Sequence, residues 1–491
     1  MKILLISPPF KTEYGKFSRD QRSPAITKSG TIYYPTWLAS ATGVLKEAGH
    51  TCKVLDCCAI GWDDERTLEF VKEFQPQMTV INTSTPSIYN DCEFSEKVKA
   101  VVPFTFTVLV GTHPSALPEA TLAINETVDA VARREYDYTL RDLAARLAEG
   151  TGDFSDILGL TWRTSADTYK STDDRPYIED LDALPFVSKV YKEQGINPYD
   201  YFFAAAEYPM MMIFTGRGCP NQCFFCVYPQ TFHGRKIYRL RSPENVIAEL
   251  EYMAENFPEL KSVGFEDDTF TADLERTKAI CRLMIEKGLN KKFNWWVNAR
   301  VTLDYDTMKL MKQAGCRLLV AGFESGNQHV LNEMHKGIKL DWTKEYVKNA
   351  NKAGLLIHGC FMVGNPGETK ETMEETFRLA LKLNTDTAQF FPLMVYPGTD
   401  AYTWAERNHY LVTKDWSEWI TTDGLHSCVI SLPEVSDKEL VAFCDEARRK
   451  YYLRPAYIFA KLRQFVFNPG ERKRLIKAGT RFIRFLAKKG E

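Results

Sequence analysis

Two hydrophobic rhythms alternate over the first 150 residues. Continuous apolar runs at 2–7, 51–56, 78–83, 107–111 and 128–132 predict buried strands, and stretches with apolar residues three and four apart at 36–48, 65–74, 91–101 and 139–149 predict amphipathic helices. Strand and helix alternating through short turns predict a parallel, doubly wound, Rossmann-like α/β sheet over 1–150. Its strands end in Ser7-Pro8-Pro9, Thr83-Ser84-Thr85-Pro86-Ser87 and Gly111-Thr112-His113-Pro114-Ser115. Ligands of open α/β sheets sit outside such carboxyl ends.

Over 151–205 the pattern breaks into Asp- and Pro-rich sequence that predicts a small hairpin and a linker. A second series follows, with strands at 210–215, 262–265, 293–297, 317–322, 356–363 and 387–396 and helices at 243–256, 274–287, 305–314, 342–353 and 370–383. Ser242 and Pro243 make a good N-cap and first-turn pair for the first of these helices. This succession of βα units predicts a partial TIM-like barrel over 206–425, with its chemistry at the strand ends. Residues 426–491 read as a C-terminal helical region, a helix at 437–452 packed on the barrel and then a strongly basic tail.

Composition narrows the picture by exclusion. A chain of 491 residues exceeds what one core serves, and a formal net charge of -2 argues against nucleic acid as the main partner. The apolar run in MKILLISPPF soon meets Pro8 and Pro9 and is too short for a signal segment or a membrane span. Twelve cysteines in such a chain fit a reducing compartment where thiols serve metals or cores, so a cytoplasmic location is expected.

The strongest chemical signal follows the run at 210–215. Cys219, Cys223 and Cys226 form a C-x3-C-x2-C loop with no fourth cysteine nearby. Thiolates this close on one loop can reach one iron–sulfur cube, and three ligands leave one iron open to bind a small molecule. Zinc is the alternative, with His233 near enough in sequence to be its fourth ligand.

The loop, including Phe225 just before its last cysteine, resembles the signature of the radical S-adenosylmethionine (SAM) superfamily. That resemblance implies a [4Fe-4S] cluster whose open iron chelates SAM, reductive cleavage to methionine and a 5'-deoxyadenosyl radical, and an external electron donor of the flavodoxin or ferredoxin type. It also implies SAM contacts at the later strand ends, covering roughly 210–399. These are Glu266 and Asp267, Asn298 and Arg300, Glu324 and Ser325, and the turn containing Gly364 and Pro366. The chemistry agrees, because an ammonium, a carboxylate and a ribose call for carboxylates, an arginine and close backbone approach. His233, Arg235, Tyr238 and Arg241 are candidates to approach SAM or substrate, with a structural role the competing reading.

Residues 33–56, together with the loop from Gly111 to Glu119, look like the cobalamin-binding domain fused ahead of many radical SAM domains. Among these are cobalamin-dependent radical SAM methyltransferases and the anaerobic magnesium-protoporphyrin cyclase group. The resemblance implies cobalamin contacts from Pro8, Pro9, Ser84, Thr85, Gly111, Thr112 and His113. The usual axial histidine motif after the first strand is replaced by Ser7-Pro8-Pro9, so any cobalamin would lack a histidine ligand. Asp56-Cys57-Cys58-Ala59-Ile60-Gly61 copies the motif's spacing after the second strand and is read as coincidence, with Cys58 a core or surface thiol; Cys428 is a weaker candidate for a substrate or auxiliary-cluster contact.

Residues 472–489 place Leu475, Ala478, Phe482, Phe485 and Leu486 on one helical face among cations. This pattern suits peripheral contact with an anionic membrane and equally suits packing on protein. The expected function is cobalamin-dependent methylation of an unactivated carbon in a small-molecule or lipid substrate. The competing expectation is cyclisation, oxidation or carbon–carbon coupling on a lipid or tetrapyrrole, and a protein that merely senses or holds the cofactors is the third.

Overall fold

A computed structural model describes residues 1–467, 471–472, 475–476 and 479–480. Strands β1 (Lys2–Ser7), β2 (Thr51–Asp56), β3 (Met78–Thr83), β4 (Phe106–Gly111) and β5 (Ala130–Ala132) form a parallel sheet in the order β2-β1-β3-β4-β5. Alternate side chains explain the two-sided winding. Ile3 and Leu5 of β1 meet Leu38, Ala41 and Leu45 of α1 (Thr36–Glu47) and Leu140 and Leu143 of α4 (Asp137–Ala148). Leu4 and Ile6 face Val71 of α2 (Asp64–Phe74) and Phe94 and Val98 of α3 (Ile88–Val101). Each such aliphatic side chain is fully buried, contributing about 1.5–3 kcal/mol. The strand order reverses between β1 and β3, which opens a crevice between their ends.

The hairpin expected in the linker exists as β6 (Leu160–Ser165) and β7 (Thr168–Ser171), but it adds antiparallel to β5. The first sheet therefore runs on through residue 171 instead of ending near 150. Ala130, Val131 and Ala132 offer an edge whose backbone groups need partners, and the hairpin supplies them.

Six parallel strands build the second unit in sequence order: β8 (Met210–Ile213), β9 (Ser262–Phe265), β10 (Asn294–Ala299), β11 (Cys316–Glu324), β12 (Leu356–Val363) and β13 (Thr387–Pro392). The helices between them, α5 (Pro243–Asn256) through α9 (Lys370–Leu383), run close to the expected bounds. The cap at Ser242 accepts from Asn245 N, as the sequence predicts. α10 (Asp437–Leu453) packs on β13, with the Tyr451 and Tyr452 hydroxyls donating to the Thr385 and Ala388 carbonyls. α11 (Pro455–Phe467) follows. Most of the predicted tail helix at 472–489 lies outside the described residues.

One feature of the fold has no counterpart in the periodic pattern. Residues 8–35, between β1 and α1, form a strap with a small hairpin (Phe17–Ser18 with Ala25–Ile26) that leaves the first sheet and reaches the barrel. There Ile26 N donates to Gly424 O, and the Arg22 guanidinium pairs with Glu266 and Asp268.

Candidate active site

The cysteine loop is clamped at both ends by a short antiparallel pairing of Gly216–Gly218 with Tyr238–Leu240. Glycine is required at Gly218, where φ is +91° and a Cβ would collide with the Ile237 carbonyl. Inside the loop, Gln230 Nε2 donates to the carbonyls of Cys223, Phe224 and Cys226 at 2.9–3.2 Å, and Asn221 Nδ2 approaches Cys219 Sγ at 3.4 Å. The backbone is thus fixed, and all three cysteines are half-buried residues. Burial raises the pKa of Cys219 and Cys226, so ionising them calls for a cation, which iron supplies. Among the described residues no three ligating groups converge on a single-ion position. His233, the fourth ligand that zinc would need, is instead held between Glu135 (2.9 Å) and Asp268 (3.4 Å). The donor set fits a cube and not a zinc ion.

Carboxylates gather beside this loop. Glu266 and Asp268 flank a cavity and are paired with Arg22, and one oxygen of Glu266 is buried without a partner. Burial, only partly offset by Arg22, pushes Glu266 above the usual carboxylate range. Glu324 ends β11 at φ +60°, next to a bulge. It pairs with Lys336 at 2.6 Å and keeps its other oxygen buried and unpartnered. Orphaned acceptors of this kind suit an ammonium or hydroxyl donor, which makes the site fit SAM. Asn298 Nδ2 donates to Asp267 O, Arg300 Nη2 to Lys336 O, and Ser325 Oγ meets Thr376 Oγ1. In the last turn Gly364 N donates to Glu368, with Pro366 half-exposed beside it, and Phe225 lies half-buried with Lys336 over its ring.

Asp267 departs from expectation. Its oxygens accept from Thr215 N, Thr215 Oγ1 and Gly216 N at 2.6–3.1 Å, so it anchors the corner entering the cysteine loop. In the turn just past β9, Asp267 faces into the protein while its neighbours Glu266 and Asp268 line the cavity. Tyr238 and Arg241 are also structural. Tyr238 donates to Thr269 O, and Arg241 bonds Phe214 O and the buried Glu249; Arg235 pairs with Asp400 on the surface.

The edge of the first sheet faces this cavity. A second cavity, whose walls include Arg19, Asn82, Thr83, Gly111 and Thr112, lies at the β1/β3 reversal. Asp20, Trp37 and Tyr228 line both cavities, so the two are contiguous. Gly111 has φ +131°, and a Cβ there would strike the Thr83 carbonyl, while Thr83 Oγ1 is buried and unpartnered. A glycine-bordered strand end with an orphaned hydroxyl fits a ligand held close to backbone, with Arg19, Asp20, Tyr136 and Phe232 completing the wall. Ser84 and Thr85 sit at this edge inside a capping box.

Three expected contacts lie behind the cavity wall. The Pro8 carbonyl accepts from Arg19 and Cys58, and the Pro9 carbonyl accepts from Asn90. His113 is 1% exposed, with Nδ1 at 3.2 Å from Thr85 Oγ1 and its ring against Trp416, and burial lowers its pKa to about 3. His113 therefore shapes the loop beneath Gly111 and Thr112. Cys58 is a buried thiol, as read from sequence, and Cys428 donates to Ile430 O within the core.

Sequence reasoning missed the residues that join the two halves. Arg217, inside the cysteine loop's clamp, is buried against Glu135, Asp137 and Ser40 of the first domain, with its guanidinium 4.4 Å over Trp37. Arg239 adds a second ion pair to Glu135. From Glu135 the chain of contacts continues through His233 to Asp268 and Arg22. No local spacing signals the partners that cross between the halves, which lie at least 80 positions apart; a basic residue between two glycines beside a metal loop was the one available hint.

A thiolate loop facing a doubly wound domain across contiguous polar cavities defines a two-domain enzyme with a cluster and a large second cofactor. The pattern of the radical SAM superfamily matches residues 213–380, and that of the B12 binding domain matches residues 22–144. The chain is 30% identical to an uncharacterized methyltransferase of Pyrococcus horikoshii across 93% of both proteins. It is 28% identical to the anaerobic magnesium-protoporphyrin IX monomethyl ester cyclase of Cereibacter sphaeroides, over 75% of this chain and 60% of that one. The fold is that of the radical SAM methyltransferase TsrM from Kitasatospora setae, solved with cobalamin and a [4Fe-4S] cluster (TM-score 0.69, 16% identity, 93% of this chain, 89% of that one). The chain belongs to the radical SAM superfamily, in the branch that carries a B12-binding domain, and its cofactors are a [4Fe-4S] cluster, SAM and cobalamin.

Proposed function

We propose that the enzyme methylates an unactivated carbon of a small-molecule or lipid substrate. The observation that supports this reading is that Asp20, Trp37 and Tyr228 line both cavities, which sets the glycine-bordered end of the first sheet beside the carboxylates next to the cysteine loop. Bound there, the cluster and SAM supply a hydrogen-abstracting radical, and cobalamin supplies the methyl group.

In this reading Cys219, Cys223 and Cys226 hold three irons, and Glu266, Asp268 and Glu324 take the ammonium and ribose of SAM, with Asn298, Arg300, Ser325, Phe225, Gly364 and Pro366 framing it. Arg22 pairs with Glu266 and Asp268 and would compete with SAM for them. Gly111, Thr112, Ser84 and Thr85 would support the corrin, and the packed rings of Trp37, Phe232 and Tyr228 would border it. A flavodoxin- or ferredoxin-type donor delivers electrons. The enzyme works in the cytoplasm, with its basic C-terminal region touching a membrane.

Anaerobic turnover with methyl-labelled SAM tests the methyl-transfer half. The expected products are 5'-deoxyadenosine, S-adenosylhomocysteine and labelled product together. 5'-Deoxyadenosine without the other two would move the enzyme to the competing class of cyclisation or coupling, the activity named for the Cereibacter sphaeroides relative.

A further inference from the structure

Large apolar side chains left in solvent are not scattered evenly over this molecule. Sixteen stand exposed among the described residues, and seven of them fall within residues 453–476: Leu453, Ile458, Phe459, Leu462, Val466, Phe467 and Ile476. On α11 the arrangement is one-sided. Ile458, Phe459, Leu462 and Val466 occupy an arc of about 100° on a helix with 100° between residues. The opposite side faces the body, where the Tyr457 hydroxyl donates to Asp386 O and Lys461 reaches Asp386. The helix is held in place by its polar side and leaves its apolar side uncovered; Phe459 is 71% exposed.

Charge is segregated in the same place. Residues 454–491 hold 11 Lys and Arg against 2 Glu, a net of +9, whereas residues 1–453 hold 51 against 62, a net of -11. The near-neutral total conceals an acidic body and a cationic tail. Cations beside an apolar stripe match an anionic bilayer, whose headgroups take the charge and whose acyl boundary takes the phenylalanines. A nucleic acid would neutralise the cations but offers the stripe nothing to enter.

We infer that α11 docks the enzyme in the plane of an anionic membrane surface, with Phe459, Leu462 and Val466 inserted and the net positive charge of the sequence 454–491 drawing it to anionic headgroups. This deepens the membrane part of the reading above and is independent of methyl transfer. No helix among the described residues is long and apolar enough to span a bilayer, so the contact lies along the surface. It would bring the active site to substrates dissolved in, or tethered to, lipid.

The full-length, cluster-loaded protein is sedimented anaerobically with vesicles of phosphatidylcholine alone, or of phosphatidylcholine and phosphatidylglycerol in a two-to-one ratio. The expected result is co-sedimentation with the anionic vesicles only, weakened by high salt and reduced about tenfold by the triple change F459S/L462S/V466S. All three positions are exposed, so folding is not at issue, and SAM cleavage by the variant confirms an intact site. Wild-type protein left in the supernatant, or equal binding by the variant, would overturn the proposal. So would light scattering that finds a wild-type dimer turned monomeric by the variant, which would assign the face to a second copy. Labelled methyl transfer is read separately, so either proposal fails without the other.

Discussion

The two α/β units follow the same winding rule yet present opposite chemistry where their strands end. The first sheet offers Gly111, Thr112, Thr83 and Asn82, small neutral groups set close to backbone. The barrel offers thiols and carboxylates, balanced by arginines and a lysine. The strand ends of the first sheet bring a ligand close to backbone, while SAM and the cluster carry charge and are met by ionic groups at the barrel edge. The glycine-bordered edge is therefore sensitive to added volume, and the barrel edge to lost charge.

Four experiments press on that contrast, in order of expected effect. Replacing Cys223 with alanine should abolish 5'-deoxyadenosine formation and cluster absorbance while cobalamin binding stays within about twofold of wild type. Loss of both cofactors would mean the sites are not separable. Arg217→Ala leaves Asp137 and Glu135 buried with part of their compensation gone. A urea titration should show a loss of about 3–5 kcal/mol, and a loss below about 1 kcal/mol would mean the halves do not depend on this contact.

Gly111→Ala tests volume. Strain at positive φ and the clash with Thr83 should cost about 1–3 kcal/mol. Cobalamin affinity should fall about tenfold, equivalent to about 1.4 kcal/mol, with iron content unchanged; unaltered cobalamin binding would remove Gly111 from the site. The smallest effect concerns pH. His113 has a pKa of about 3 when folded against 6.5 when exposed. The unfolded chain therefore binds the extra proton first, and stability is lost as pH falls below 6.5. The slope approaches about 1.4 kcal/mol per pH unit. Melting temperature followed from pH 7 to 5 should fall less in His113→Gln than in wild type, and parallel curves would contradict the burial argument.

Much of this architecture was legible from local pattern. Strands β1, β2, β3, β9 and β12 occupy the positions their patterns predict; in β1, β3 and β9 nearly every residue is buried, as burial on both faces demands. Less legible were β6 and β7. A hairpin was expected, but its place on the β5 edge depends on an unpaired backbone that no local window contains. Asp267 differs from expectation for a related reason: three adjacent acids look alike in sequence, and only the folded corner at Thr215 and Gly216 separates the anchor from Glu266 and Asp268. His113 lies in a loop that borders a cavity, and burial behind Thr85 and Trp416 is a tertiary fact.

The sequence by itself determined the two α/β series, the three-thiol loop and the missing axial histidine, since each rests on spacing within a few residues or on periodicity. The tertiary structure alone decided how the halves meet. Arg22 reaches Glu266 across 244 positions and Arg217 reaches Asp137 across 80. Buried charges seek partners in space, and separation along the chain does not constrain which carboxylate they find.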